Sequence, residues 1–440
     1  MSSKTPYRQI IQNTTTIQRY GRVSQVIGLV VEGIGPCSAI GDMCQIKKKN
    51  QERLGWAEVV GFRDNKMLLM PLGETRGIEP GCLILPLGRP AQASVGRNLL
   101  GRVLDALGKP IDQKGPIASH EEYPLYSQPS HPLLRRRIAE TVDVGIRSIN
   151  GLLTLGKGQR IAIFSGSGVG KSTLLGMIAR HTTVPVNVVA LIGERSREVR
   201  EFIEKDLGEE GLKRSVVIVA TSDQPPLIRM RGAYLAASIA EYFRDQGKDV
   251  LLMMDSITRF AMASREVGLA VGEPPTTKGY TPSVFAQLPK LLERVGTTPG
   301  RGSITGIFNV LVEADDVNDP IADAIRSIVD GHIVLSRELA NQNHYPAIDI
   351  LGSISRVMTD IVSSEQLSAR NQLVSLMATY KKAEDLIQIG AYVAGSNPQI
   401  DEAIRKTPEI DAFLRQAVQE KADFRSAVAQ LKSLFSIGSR

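Results

Sequence analysis

Cysteine is scarce in this chain: Cys37, Cys44 and Cys82, all in the first fifth of 440 residues. A sparse, odd set without a C-x-x-C pair argues against a disulfide framework and against a zinc site. Buried free thiols are the expectation. The five histidines are scattered and form no H-x-x-x-H pair. Long hydrophobic runs are missing as well. A stretch such as VLLMM, Val250 to Met254, is far too short to cross a bilayer. The opening residues, MSSKTPYRQIIQNTTT, lack the apolar core of a secretory signal. Together these absences predict a cytoplasmic protein. The formal charge of +7 is not gathered into a long basic block, so charge alone names no partner. KKKN, Lys47 to Asn50, reads as an exposed turn between strands. No internal repeat is evident.

The apolar share of 42% and charged share of 22% are those of a globular protein, and the length suits two or three domains. Up to Tyr20 the chain is polar and Thr-rich, a candidate arm. From Tyr20 to about Pro86, short β-branched segments alternate with turn residues. RVSQVIGLVVEG reads as one strand, and WAEVVGF and KMLLMPL flank RDN as a hairpin. Several short strands in so few residues predict a small barrel or a sandwich. SHEEYPLYSQPSHP reads as a surface connector. From Gly158 the rhythm changes: RIAIF, VNVVALIG, SVVIVA, DVLLMMD, SITGIFNVLV and HIVLS alternate with helical stretches. That alternation predicts a mostly parallel sheet covered on both faces. After Val362 the strand signal stops. SNPQIDEAI and KTPEIDAFLRQAV each read as a helix start, with proline at the first helical position. An apolar stripe through Ile410, Phe413, Leu414, Ala417 and Val418, continued by Phe424, Val428, Leu431 and Phe435, completes a helical tail.

FSGSGVGKST, Phe164 to Thr173, has the look of a phosphate loop, with Ser165 where the first glycine usually stands. By composition alone, a bare G-K-[ST] would arise in about one chain in five of this length. Context carries the reading instead. An apolar strand, a turn of minimal side chains and an apolar helix bring backbone N–H groups onto an anion at a helix N-terminus. Gly166, Ser167, Gly168, Val169, Gly170 and Thr173 would wrap nucleotide phosphate, Lys171 would reach the β- and γ-phosphates, and Ser172 would ligate magnesium. A small residue serves at 165, because the phosphate-wrapping positions lie further on.

A magnesium–phosphate site also needs a carboxylate at the end of a neighbouring strand, and DVLLMMD supplies Asp255, acting through water. Hydrolysis needs a group that activates water. ALIGERSREV places Glu194 at a strand's C-terminal end, where ligand sites in open α/β sheets gather. Glu194 is the candidate general base, with Arg195 as its charge partner.

The stretches GSGVGKST, GERSREVREF, LLMMDSITRFAMASREVGLAVGEPPTTKGYTPSVFAQLPKLLERVG, GSITGIFNVLVEADDVNDPIADAIRSIVDGHIVLSRELA and YPAIDILGSISRV resemble the catalytic subunit of rotary ATP synthases. They are still more similar to the type III export ATPases, the flagellar branch above all. The resemblance covers nearly the whole chain. It implies an α/β fold: a RecA-like P-loop NTPase core (89–361) with an N-terminal arm (1–19), a small β-barrel (20–88) and a C-terminal helical domain (362–440). It implies ATP and magnesium as cofactors and a homohexameric ring with nucleotide at each interface. Lys171, Ser172, Asp255 and Glu194 keep the roles given above. Arg356 matches an arginine finger that a neighbouring subunit inserts against the γ-phosphate, and Tyr345 an aromatic that packs on adenine. Ser165 matches a usual variant of that branch.

The resemblance further implies protein export through a flagellar apparatus at the inner face of the cytoplasmic membrane. The implied partners are a regulator dimer on the N-terminal arm, a coiled-coil stalk in the pore, chaperones on the helical tail and an export gate. Glu313 to Pro320 and Gly272 to Pro282 are candidate loops facing the stalk or substrate. An injectisome export ATPase is the nearest alternative. A hexameric RNA translocase is a more distant one, disfavoured because such barrels expose aromatics among basic residues, whereas this barrel holds one tryptophan, Trp56, in an apolar strand. No nucleic-acid partner is expected.

Overall fold

A computed structural model describes residues 19–35, 38–118, 121–312 and 319–435. Two compact units divide it: the part up to Ala91 with Val267–Glu273, and Gln92–Glu266 with Pro274 onward. All of the expected arm but Arg19, together with Cys37 and most of the loop Glu313 to Pro320, lies outside the described residues.

In the first unit, β1 (Gly21–Ile27), β2 (Val30–Ile34), β3 (Asp42–Lys47), β4 (Arg53–Arg63), β5 (Lys66–Pro71) and β6 (Leu83–Pro90) close into a barrel of order β1-β2-β5-β4-β3-β6. The choice between barrel and sandwich is thereby made. RVSQVIGLVVEG is two antiparallel strands, not one. Gly28, at φ 56°, turns the chain inside a run whose β-branched residues hide the break. The hairpin at RDN forms as read, with Asp64 and Asn65 both left-handed at φ 49° and 59°. Cys44 and Cys82 are buried and unpaired. Burial pushes the Cys44 thiol up to about 11, which makes it inert. The Trp56 ring is capped by the Arg53 guanidinium, 4.0 Å from its centroid.

The second unit is built on one large sheet. Its strands are β7 (Arg102–Asp105), β8 (Arg160–Ser165), β9 (Val186–Ile192), β10 (Ser215–Ala220), β11 (Asp249–Asp255), β12 (Ser303–Leu311), β13 (Gly331–Leu335) and β14 (Ile348–Ser355). They lie in the order β14-β13-β8-β12-β11-β9-β10-β7, with a short strand, Gly296–Thr297, off β12. All pair in parallel except β14, antiparallel to β13, and the short strand, antiparallel to β12. Every residue of β9 and β10 is buried, as a strand covered on both faces requires. The expected alternation is there, and the edge strands β7 and β14 are additions to it. The connector is not wholly irregular. Glu121–Pro124 pairs with Gln92–Val95, because its alternate residues find a partner far back in the chain.

The tail consists of α5 (Ser364–Gln388), α6 (Pro398–Leu414) and α7 (Phe424–Ser433), counted after α1 (Arg147–Leu152), α2 (Lys171–His181), α3 (Ser196–Glu201) and α4 (Pro226–Asp245). Ser363, Asn397 and Asp423 cap the three tail helices through their side-chain oxygens. Pro398 opens α6 as expected, but Pro408 does not start a second helix. It lies inside α6, which buried Ala403, Ile410, Phe413 and Leu414 hold in one piece. Ala417 and Val418 are exposed in the loop after α6 and leave the stripe. Phe413, Leu414 and Leu431 belong to the same apolar cluster as β8 and α2, so the tail is packed on the sheet unit. Among the described residues no helix is long and apolar enough to cross a membrane.

Candidate functional site

Parallel strands end together, and whatever follows β8, β9, β11 and β12 meets at one edge. β8 ends at Ser165, which is buried with its Oγ 3.3 Å from Asn309 Oδ1 on β12. A compact polar residue fits there, at the seam between two strands. The loop then runs through Gly168 and Gly170, left-handed at φ 77° and 87°, and α2 begins at Lys171. Val169 turns inward and is buried. No acidic residue occupies the first turn of α2, while Arg180 and His181 sit in its last. The positive end of the helix is left for an anion.

Lys171 stands between two carboxylates. Its Nζ lies 2.8 Å from Asp255 Oδ1 and 3.5 Å from Glu194 Oε1. Burial works against the Lys171 charge, but Asp255 and Glu194 outweigh it and hold the ammonium above its ordinary pKa. Asp255 ends β11, buried, and takes a second hydrogen bond from Asn309 Nδ2 at 2.7 Å. Glu194 behaves differently. Burial and the neighbouring Asp255 charge push its carboxyl up to about 7, against the pull of Lys171, and a hydrogen bond to Glu198 adds to the rise. The same hydrogen bond holds Glu198 below its ordinary value. Glu194 is the proton-holding member of the pair, poised to gain or lose a proton near neutrality.

Arg195 is not the charge partner of Glu194. It is largely exposed and faces Glu198 at 3.7 Å, because it precedes α3 while Glu198 lies three residues on in that helix's first turn. Lys171 is the cation beside Glu194. A small cleft is lined by Ser172, Glu194, Glu198 and Asp255 together with Leu191, Val199 and Phe202. A hydroxyl and three carboxylates, all oxygen donors, suit a hard cation such as magnesium. No cluster dense enough to cage a metal by protein groups alone occurs among the described residues.

Tyr345 is brought to the loop and Arg356 is not. The Tyr345 ring packs on Gly170, close enough that a Cβ there would lie 3.3 Å from Tyr345 Cε1. Arg356 follows β14, exposed, with its N–H donating to Asp330 O at 3.0 Å. The registers put Ser355 beside Gly331, at the start of β13, whereas Ser165 lies beside Leu335, at its end. Arg356 is therefore at the far end of the sheet, roughly 17 Å along the strand direction and two strands across from the loop. In one protomer it cannot reach that phosphate site. Lys278, in the segment Gly272 to Pro282, reaches Asp319 at 3.6 Å.

Two residues of the site escaped the sequence reading. Asn309 fastens Asp255 to Ser165, and its signal was a lone amide in the apolar run SITGIFNVLV. Glu198 shares a hydrogen bond with Glu194, and the signal was a carboxylate four positions on.

Three family models match the chain: the ATP synthase alpha/beta family nucleotide-binding domain over residues 145–355, its beta-barrel domain over 23–88, and the T3SS EscN ATPase C-terminal domain over 362–433. The flagellum-specific ATP synthase of Bacillus subtilis is 54% identical over 431 residues, 96% of this chain and 97% of the relative. The assembled ATPase EscN from the type III secretion system of enteropathogenic E. coli is 46% identical, covering 94% of this chain and 99% of that one, with a TM-score of 0.89. EscN in complex with its central stalk EscO matches at 45% identity and a TM-score of 0.87, covering 94% and 99%.

Proposed function

The chain belongs to the ATP synthase alpha/beta family, among the flagellum-specific and type III secretion ATPases, and from that membership we propose that it hydrolyses ATP to energise protein export through a flagellar apparatus. The flagellar reading is favoured by flagellum-specific relatives at 54% and 50% identity over nearly the whole chain, against 49% for the type 3 secretion system ATPase of Xanthomonas euvesicatoria. The observation that carries the chemistry is Lys171 held between Asp255 and Glu194, at the mouth of a glycine loop and a helix N-terminus.

In this reading the N–H groups from Gly166 to Thr173 surround the phosphates, and Lys171 neutralises their charge. Ser172 and, through water, Asp255 would hold magnesium, which when bound would draw charge off the transferring phosphoryl group. Asn309 keeps the Asp255 carboxylate aimed, through its 2.7 Å hydrogen bond. Glu194 takes the proton from the attacking water; a base with a pKa near 7 is both free enough and basic enough at neutral pH. Tyr345 stacks on the base. Arg356, at the other end of its own sheet, acts on the neighbouring subunit's phosphates. A finger in trans is worth about a thousandfold to a hundred-thousandfold in turnover, so activity depends on a closed homohexamer.

EscN has been solved with its stalk EscO, and by that likeness we assign this ring a coiled-coil stalk. A regulator dimer, export chaperones, an export gate and a peripheral place at the inner face of the cytoplasmic membrane complete the proposal. Deleting the gene in its own organism should stop secretion of flagellar filament subunits, restored by the wild-type chain and not by Lys171→Ala. Unchanged filament export, with loss of an injectisome's cargo instead, would move the chain to the other branch.

A further inference from the structure

Gln416 lies in the loop between α6 and α7, yet it is buried, unlike its neighbours Arg415 and Ala417. A buried amide in a surface loop must have its hydrogen bonds met. Its Oε1 accepts from the Arg147 N–H at 2.7 Å. Its Nε2 donates to Gly145 O and to Glu420 O, each at 2.8 Å. The side chain thus ties the tail to the entry of α1 through two hydrogen bonds and closes its own loop with the third. Arg147 fastens the same segment again, donating to Arg415 O at 2.8 Å and pairing with Glu420.

Fixing the side chain in this way fixes the backbone, and the Gln416 N–H donates to Tyr345 O at 3.0 Å. Tyr345 itself is partly exposed, its ring lying on Gly170 of the phosphate loop. The hydrogen bond from residue 416 is a tether on an aromatic that would otherwise be held mainly by its own loop.

We propose that Gln416 is a positioning residue for nucleotide: it locks the tail loop, and through its backbone N–H it sets Tyr345 at the height over Gly170 where a purine base can stack. This rests on the reading of Tyr345 as the base platform. The tail then belongs to the nucleotide site, and a partner that loosened residues 415–420 would release base affinity without touching the phosphate loop.

The test compares binding of ATP with binding of inorganic tripolyphosphate, which has phosphates and no base, to the full-length protein. A hydrogen bond of this kind contributes about a factor of five to ten. Gln416→Ala should weaken ATP by about that factor and leave tripolyphosphate unchanged, and in a Tyr345→Ala background it should add nothing further. Gln416→Met keeps the volume while losing all three side-chain hydrogen bonds and should act as Gln416→Ala does, which covers the case that the cavity left by alanine prevents folding. Equal weakening of both ligands would mean a merely structural role and would overturn the proposal, as would no weakening of either. If Tyr345→Ala leaves ATP affinity intact, the platform reading fails first, independently of Gln416.

Discussion

Lowering the pH from 8 to 6 should cut kcat/KM for ATP about tenfold. The profile of kcat/KM reports the free enzyme's groups, and in the free enzyme Glu194 sits near 7 through burial and the charge of Asp255. With that value the base is about 90% ionised at pH 8 and about 10% at pH 6, whereas an ordinary carboxylate would change by only a few per cent. The assay is phosphate release at ATP well below KM. ATP titrates in the same region, since a terminal phosphate has a pKa of about 6, so the decisive comparison holds substrate constant and moves the enzyme's group. In Glu198→Gln the like charge beside Glu194 is gone and the shared proton exchanges a carboxylate acceptor for a weaker, neutral amide oxygen; the charge and the strong hydrogen bond of Glu198 both raise Glu194. The midpoint should therefore shift to lower pH. A profile flat from 6 to 8, or a midpoint indifferent to Glu198→Gln, refutes the assignment. Stability carries the same sign. Between 4.5 and about 7 the folded chain keeps a proton that the unfolded chain has released, so the contribution of this carboxyl is fullest below 4.5 and is lost as pH rises through 7.

Glu194→Gln should bind ATP at near wild-type affinity and turn over about a hundredfold to ten-thousandfold more slowly; near-normal phosphate release removes Glu194 as base. Rings mixed from Lys171→Ala and Arg356→Ala subunits should regain activity that neither variant has alone, because some interfaces pair an intact loop with an intact finger. No recovery in rings shown by mass to be mixed counts against action in trans. Phe413→Ala should cost about 3–5 kcal/mol, since the ring is buried against Gly151 and shares a cluster with β8 and α2. A denaturant midpoint shift worth less than about 1 kcal/mol would mean the tail is not part of the cooperative unit.

What could be read in advance follows the range of the interactions. The phosphate loop, Asp255 and Glu194 each sit at the end of a strand, within a few residues of the apolar run that announces it. Strand, turn and helix are local, and so was the reading. Arg195 went wrong although it is adjacent to Glu194, because the choice between two near carboxylates is made by Lys171, which the fold brings in from 23 positions away. Pro408 misled for a similar reason: its preference is to open a helix, and packing of Ile410 and Phe413 on the sheet unit overrides it. The edge strand β14 and the pairing of Glu121–Pro124 with Gln92–Val95 had no local mark at all.

The separation of Arg356 from the loop explains why a ring suits this chemistry. In a parallel sheet the C-terminal ends hold the phosphate site, and a return strand such as β14 must deliver its last residue to the opposite end. A cation placed there is useless to its own protomer and available to the next. On the proposed reading, the availability of Arg356 to a neighbouring subunit follows from the antiparallel pairing of β14 at one sheet edge. Tyr345 lies three residues before β14 at the near end and Arg356 directly follows it at the far end, so on the proposed reading one segment would carry the base platform of one site and the finger of the adjacent one. A rigid tilt of that strand would change base contact in one site and phosphate contact in the other together.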